Sequence, residues 1–163
     1  MEERKITITA IEETPDFNEI KDLIIPFWPE QFGALPDERI VLEYEKDYRS
    51  KLDRVKYLYV DKRIAGWYRY SKFPREAGAK DVHTYDIAVH GDFQRQGLGL
   101  ILMKDMIKDS RSLGYEKLLS RSFKNNEGSI RLHRAAGFTE HMKTSDSIVW
   151  ELDLHAADRE SEE

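Results

Sequence analysis

An apolar strand that leads directly into a glycine-containing turn and then into an amphipathic helix constrains this chain more than any other feature. The segment from Tyr85 to Leu100 reads YDIAVHGDFQRQGLGL. Beyond it, apolar residues recur at Leu102, Met106 and Leu113, which is the spacing of one helical face. Such a unit directs free backbone N–H groups and the positive end of a helix dipole at one point. The sequence therefore predicts a site for a phosphate or diphosphate at this turn.

Length and composition indicate one globular domain. The chain has 163 residues, of which 40% are hydrophobic and 35% are charged, enough for a core of useful size. Its net charge of -5 argues against broad nucleic-acid binding. The chain contains no cysteine, which excludes disulfides, thiolate metal sites and a cysteine nucleophile.

The ends of the chain suggest a cytoplasmic protein with no membrane partner. The start, from Met1 to Lys5, lacks the apolar stretch of a signal peptide, and no apolar segment approaches bilayer length. Acidic residues dominate the sequence after Leu154. We therefore expect a single domain over residues 1–154 and an acidic, flexible tail over residues 155–163.

Apolar periodicity and turn residues predict the element order β-α-α-β-β-β-α-β-α-β-β. The predicted strands cover residues 5–11, 55–60, 64–70, 82–89, 117–123, 138–142 and 148–154. The predicted helices cover residues 15–26 and 37–51, the segment that opens at the glycine turn and stops at Gly114, and residues 126–136. This order implies an α/β (α+β) single-domain fold with a mixed central sheet and helices on both faces.

Two short motifs carry a family resemblance. Residues 94–99 read QRQGLG, and residues 126–138 read NEGSIRLHRAAGF. They resemble motif A (Gln/Arg-x-x-Gly-x-Gly/Ala) and motif B (Asn-x-x-Ala-x-x-Leu-Tyr-x-x-x-Gly-Phe) of the GNAT superfamily of acyl-CoA-dependent N-acyltransferases. The motifs occur in the family's order, about one strand apart. The predicted element order matches the family fold over residues 5–154.

The resemblance implies acetyl-CoA, or another acyl-CoA, as the acyl-donor cosubstrate, and no metal. In the family, strand backbone equivalent to Ile87, Ala88 and Val89 pairs with the amides of the pantetheine arm. Main-chain N–H groups hold the pyrophosphate, and glycines let the backbone approach it. The residues carried over for this second role are Gln94, Arg95, Gln96, Gly97, Leu98, Gly99 and Leu100.

Motif B adds Asn126 and Ser129 as cofactor-binding candidates. The resemblance gives the asparagine a contact with the cofactor, and an ordinary helix N-cap is the alternative interpretation. The two roles are compatible.

The implied reaction needs a neutral amine to attack the thioester and a proton for the departing CoA thiolate. An alkyl amine has a pKa near ~10.4, so a base is useful near neutral pH. The family commonly places the acid at the motif B tyrosine, and His133 stands there in this chain. An imidazole can give a proton to a thiolate. The alternative is a surface histidine with the thiolate protonated by solvent.

The general base has several candidates. Some family members use a carboxylate at the position of Arg121, so that route is closed here. Others use residues on the strand before motif A, where we favour His83, acting through water with Tyr85, over Asp86. His83 and Tyr85 share a face with Ile87 by the period of two, provided that no bulge intervenes. Packing or surface roles are the alternative for each.

The acceptor is expected to be a small-molecule or peptide amine. Phe27, Trp28 and Phe32 are candidates for the wall of its pocket, with core packing as the alternative. Many family members dimerise, and a homodimer through the final strands remains open.

Three functions compete at this point. The leading one is an N-acetyltransferase that moves an acetyl group from acetyl-CoA to a primary amine by direct transfer in a ternary complex. The absent tyrosine and Arg121 motivate the second, a non-catalytic acyl-CoA-binding or sensing domain. The third is an unrelated phosphate binder, although Leu100 after Gly99 departs from the Gly-Lys-Ser/Thr ending of a P-loop.

Overall fold

The computed structural model of the protein describes residues 3–10, 53–71 and 80–155. The two helices predicted between residues 15 and 51 lie outside these ranges. So do Phe27, Trp28 and Phe32, and all but the first residue of the predicted tail. The layer of helices expected on the second face of the sheet therefore stays a prediction.

The described residues form a seven-stranded mixed sheet with two helices. The strands are β1 (Ile6–Ala10), β2 (Asp53–Val60), β3 (Arg63–Ser71), β4 (Asp81–Val89), β5 (Lys117–Phe123), β6 (Thr139–Lys143) and β7 (Ser147–Asp153). The helices are α1 (Leu98–Ser112) and α2 (Glu127–Ala135), and a short 3-10 helix (Gly91–Phe93) precedes α1. The predicted fold class, a single mixed α/β domain, is confirmed.

The sheet has the order β1-β2-β3-β4-β5-β7-β6. Its neighbouring strands are antiparallel except β4 and β5, which run parallel. The crossover between those two strands is α1. β6 forms one edge and its five residues are all exposed. A homodimer through the final strands stays open, as in the sequence analysis.

Local sequence explains where the elements turn and stop. Asp61 and Lys62 join β2 to β3 with φ of 49° and 72°, the left-handed conformation that a two-residue type I′ hairpin turn needs. At the end of α1, Gly114 has a φ of 88°. The N–H of Tyr115 bonds to the carbonyl of Ser110 at 3.3 Å, which closes the helix as a Schellman motif.

Helix α1 packs closely on β3 and β4 because a glycine faces it. A Cβ on Gly66 would lie 2.9 Å from Leu102 Cδ1 and 2.7 Å from the carbonyl oxygen of Ala88. The apolar core between helix and sheet includes Leu58, Ala65, Val82, Leu102, Met103, Met106, Leu118 and Trp150. This packing fixes the N-terminus of α1 near the end of β4.

A polar cluster ties the other end of α1 to the sheet. Asp109 is 7% exposed and accepts hydrogen bonds from Arg54 at 3.0 and 3.1 Å and from the Tyr70 hydroxyl at 2.5 Å. The ammonium of Lys56 lies 3.0 Å from the same carboxylate. Burial raises the pKa of Asp109, but the hydrogen bonds from Arg54, Tyr70 and Lys56 outweigh it and hold the pKa below its ordinary value.

We expect Asp109→Asn to lower the free energy of unfolding by about 3 kcal/mol, because it leaves Arg54 without its counter-charge and Lys56 with Asp105 alone, at 3.2 Å. The folded pKa of Asp109 lies below the unfolded one, so its contribution is complete above about pH 4 and is lost as the pH falls through the folded pKa. Urea denaturation of the wild type and of Asp109→Asn, at pH 7 and at acid pH, measures the difference in their free energies of unfolding.

Lys108→Gln, at an exposed position of the same helix, is the control and should change stability by less than ~0.5 kcal/mol. A difference between wild type and Asp109→Asn that grows as the pH falls would contradict this account.

Candidate active site

The central strands β4 and β5 separate along the sheet. They pair only where Asp81–His83 lies beside Lys117–Leu119, although β4 continues to Val89 and β5 to Phe123. On their outer sides, β4 stays paired with β3 and β5 with β7. Among the described residues, the edge of β4 that faces β5 makes no ladder bond to it beyond His83. An open edge of this kind can pair with the amides of an extended ligand.

A β-bulge lies where the split begins. The pairing of β4 with β3 passes from Asp86 opposite Arg69 to Thr84 opposite Tyr70, which leaves Tyr85 as the extra residue. Thr84 therefore shares a face with Tyr70, whose hydroxyl bonds to α1.

The bulge changes the alternation expected for the base candidates. His83 precedes Thr84 and lies on the opposite face, so it does not share the face of Ile87. The backbone of Tyr85 and Asp86 lies at the bulge itself, and their side chains lie outside the described part of the structure. The roles of His83, Tyr85 and Asp86 as base candidates stay predictions.

The glycine turn delivers free main-chain donors at the N-terminus of α1. Gly97 occupies the N-cap position with a φ of 77° and offers no side chain to the first turn. The N–H of Ile101 bonds back to the carbonyl of Gly97 at 3.3 Å. The N–H groups of Leu98, Gly99 and Leu100 therefore have no acceptor within the helix and point out of its end. Together with the helix dipole they favour an anion.

Side chains brace the turn from both sides. Gln94 donates to the carbonyl of Val89 at 3.3 Å, and Gln96 accepts from the Arg4 guanidinium at 2.7 Å. Arg95 between them has a positive φ of 62° and an exposed side chain. The two glutamines thus hold the turn, while the backbone and Arg95 remain accessible to a ligand.

The first turn of α1 lies against the middle of α2. A Cβ on Gly99 would lie 3.6 Å from the side chain of Leu132. Asn126 caps α2 by accepting the N–H of Ser129 at 3.0 Å, so the N-cap interpretation is confirmed. The fold brings motifs A and B together, and the cofactor contacts of Asn126 and Ser129 stay predictions.

His133 is a core residue, and the surface interpretation of it is wrong. It is 2% exposed, and its ring stacks on Trp150 at 5.3 Å and meets the edge of Phe138 at 5.2 Å. Its Nε2 lies 2.7 Å from the Ser120 hydroxyl, and its Nδ1 lies 2.7 Å from the carbonyl oxygen of Ser129. The imidazole is thus held at both nitrogens.

Burial favours the neutral form of His133. It lowers the pKa of the imidazole, and the hydrogen bond to the Ser129 carbonyl opposes this only in part. The Ser120 hydroxyl also accepts from Thr84 Oγ1 at 2.8 Å, which extends the hydrogen-bonded row from His133 to the strand split. Sequence reasoning missed Thr84 and Ser120. The available signal lay on one face of β5, where two small polar residues, Ser120 and Ser122, follow the apolar Leu118 at every second position.

The remaining features concern Arg121, metal binding and membrane-spanning segments. Arg121 is exposed and pairs with Asp146 at 3.3 Å. Within residues 3–10, 53–71 and 80–155, no group of three or more histidine or acidic side chains is placed to hold a metal ion. In the same ranges, neither helix has the length and apolar character needed to cross a bilayer.

Comparison with solved structures identifies the fold. N-acetyltransferase from Staphylococcus aureus Mu50 superposes with a TM-score of 0.75 at 16% identity, over 92% of this chain and 99% of that one. The Bacillus subtilis acetyltransferase in complex with CoA gives 0.68 at 22% identity, over 91% and 99%. The ribosomal-protein-S18-alanine N-acetyltransferase from Escherichia coli gives 0.63 at 22% identity, over 92% and 94%.

Sequence comparison agrees with the fold. No curated protein sequence matches this chain. The family model for the Acetyltransferase (GNAT) family matches residues 17–138, which include both motifs and most of the chain. On this match, and with the glycine turn, the strand split and motif B in one site, the chain belongs to the GNAT acetyltransferase family.

Proposed function

We propose that this protein is an N-acetyltransferase that moves an acetyl group from acetyl-CoA to a primary amine by direct transfer in a ternary complex. Family membership supports the acetyltransferase activity. One observation carries the choice of donor: the open edge of β4 leads through the short 3-10 helix and the glycine turn to the free N–H groups of α1. Such a continuous track suits a ligand that joins amides to a diphosphate.

The residues of the track divide into two parts. The backbone of Ile87, Ala88 and Val89 would pair with the amides of pantetheine, because among the described residues β3 is the one strand that pairs with this stretch of β4. The side chain of Gln94 also donates to the Val89 carbonyl. The turn from Gln94 to Leu100 would hold the diphosphate through its N–H groups, with the Arg95 guanidinium nearby.

Bound acetyl-CoA supplies a thioester, whose acyl carbon an amine attacks. The chain must then hold the acyl group at the split, exclude water and manage the amine proton. His133 is our candidate for proton transfer, and the hydroxyls of Ser120 and Thr84 connect it to the split. The acceptor is proposed only as a small-molecule or peptide amine.

We expect Gly97→Glu to weaken acetyl-CoA binding by more than about 100-fold, equivalent to ~2.7 kcal/mol. It sets a negative charge where the diphosphate is proposed to lie. Isothermal titration calorimetry measures the affinity. Gly114→Glu is the matched control: both glycines have positive φ, 77° and 88°, and a Cβ would meet nothing within 4 Å at either. Equal affinities in the two variants would refute this placement of the donor.

Turnover should be visible as release of the CoA thiol with at least one primary amine. A thiol reagent suits this chain because it contains no cysteine to react. The panel is a polyamine, an aminoglycoside, a free amino acid and a peptide with a free N-terminus, each compared with its fully N-methylated analogue. Acetyl-CoA binding without turnover on any of them would favour the sensing domain instead.

A further inference from the structure

Resting on the proposed acetyl transfer, we propose that Thr84, Ser120 and His133 form a proton relay. Thr84 takes the proton from the attacking amine at the strand split, and His133 is the final acceptor. The family resemblance suggested only His133, as the acid that donates a proton to the CoA thiolate. The relay assigns new roles to two hydroxyl groups and reverses the direction of the first proton transfer.

Hydrogen-bond chemistry sets the polarity of the row. The carbonyl of Ser129 can only accept, so Nδ1 of His133 carries a proton in that 2.7 Å bond. Nε2 of the neutral ring is then an acceptor and takes the hydroxyl proton of Ser120 across 2.7 Å. The oxygen of Ser120 is left to accept from Thr84 at 2.8 Å. Each group donates inward, toward His133.

The outer end of this row lies at the strand split. His83 opposite Leu119 is the last pair of the β4–β5 ladder, and Thr84 is the next residue. Thr84 is only partly buried. Among the described residues, Ser120 is the one hydrogen-bonding partner of its side-chain oxygen. Within the described ranges no donor occupies the lone pairs of Thr84, so they can accept a proton from a group that enters the split.

The environment of the imidazole favours a neutral resting state. The neighbours of the ring are Ser129 on α2, Ser120 on β5, Trp150 on β7 and Phe138 before β6. Among the charged groups on these elements, Arg134 lies over the Trp150 ring, 5.9 Å from its centroid, and pairs with Glu140 at 3.3 Å. Burial lowers the pKa of His133, which keeps Nε2 free to accept.

The proton balance of the transfer is then complete. The amine nitrogen forms the new C–N bond to the acyl carbon, and the C–S bond breaks with its electron pair on sulfur. The excess proton on nitrogen passes to Thr84, the proton of Thr84 to Ser120, and that of Ser120 to Nε2 of His133. Proton transfer in the opposite direction, from His133 through Ser120 and Thr84, then delivers one proton to the thiolate and restores the neutral imidazole.

The polarity can be tested without any acceptor by nitrogen-15 NMR of the histidine rings at pH 7. His133 is assigned as the signal absent from His133→Phe. We expect the neutral ring with its proton on Nδ1, and a shift of the Nε2 resonance in Ser120→Ala. A proton on Nε2 at this pH, in either the other tautomer or the imidazolium, would overturn the relay.

The catalytic role of the relay is tested with an amine from the panel above that the wild type acetylates. We expect Thr84→Val and Ser120→Ala to lower kcat about 100-fold, with acetyl-CoA affinity changed less than threefold. In wild type, kcat should rise with pH through an inflection below about 6.5, and both variants should lose that limb. Thr84→Val keeps the shape of the side chain, so it tests the hydroxyl alone.

Ser122→Ala is the matched control. Ser122 lies on the same buried face of β5, and its hydroxyl accepts from Trp150 at 2.7 Å rather than from the relay. We expect it to cost stability and to keep wild-type kcat. If Ser120→Ala retains full kcat, or if Ser122→Ala loses as much as Ser120→Ala, the relay is wrong.

These outcomes are separate from a failure of the proposed function. If wild type turns over no amine, the acetyl transfer fails and the catalytic role of the relay fails with it. If wild type is active while the relay variants are unimpaired, the acetyl transfer stands and the relay alone is refuted.

Discussion

The short parallel ladder between β4 and β5 is the constraint on which the rest of the site depends. Parallel strands joined by a helix usually pair along their length. Here each is held on its outer side by an antiparallel partner, and the ladder between them ends at His83 and Leu119. In the part of the chain that the structure describes, the sheet thereby keeps main-chain groups without a ladder partner at its centre, near the N-terminus of α1 with its positive dipole end.

Helix α1 is anchored asymmetrically. Its C-terminal half carries Asp109 and its cations, and a Schellman motif closes that end. Its N-terminal turn is held by apolar packing of Leu98 and Leu102 instead, so its polar groups are not consumed by the fold. The charge pairs of α1 described above thus lie in its C-terminal half, and the proposed anion site lies at its other end.

Much of the fold was predictable from local sequence, because local forces determine it. Apolar periodicity placed each described strand and α-helix within about two residues, and Gly114 marks a helix stop through its positive φ. The 3-10 helix at Gly91–Phe93 was not predicted. Motifs A and B identified the family, and their residues meet where the first turn of α1 contacts Leu132 in the middle of α2.

The rest depends on contacts between segments far apart in the chain. The bulge at Tyr85 exists only in the register of β4 against β3, so the face of His83 could not be read from alternation. The row from Thr84 to His133 crosses two strands and a helix. Burial of His133 against Trp150 reflects packing of α2 on β7, which no local pattern encodes.

Gly66 shows how a position outside both motifs shares their constraint. Its missing side chain leaves room for the carbonyl of Ala88 and for Leu102 on α1. A methyl group there would push against the strand edge proposed to meet the pantetheine amides and against the helix that presents the anion site. The separation of those two surfaces is therefore set by one absent carbon atom, and substitutions at residue 66 should misalign a ligand that spans both even where the chain still folds.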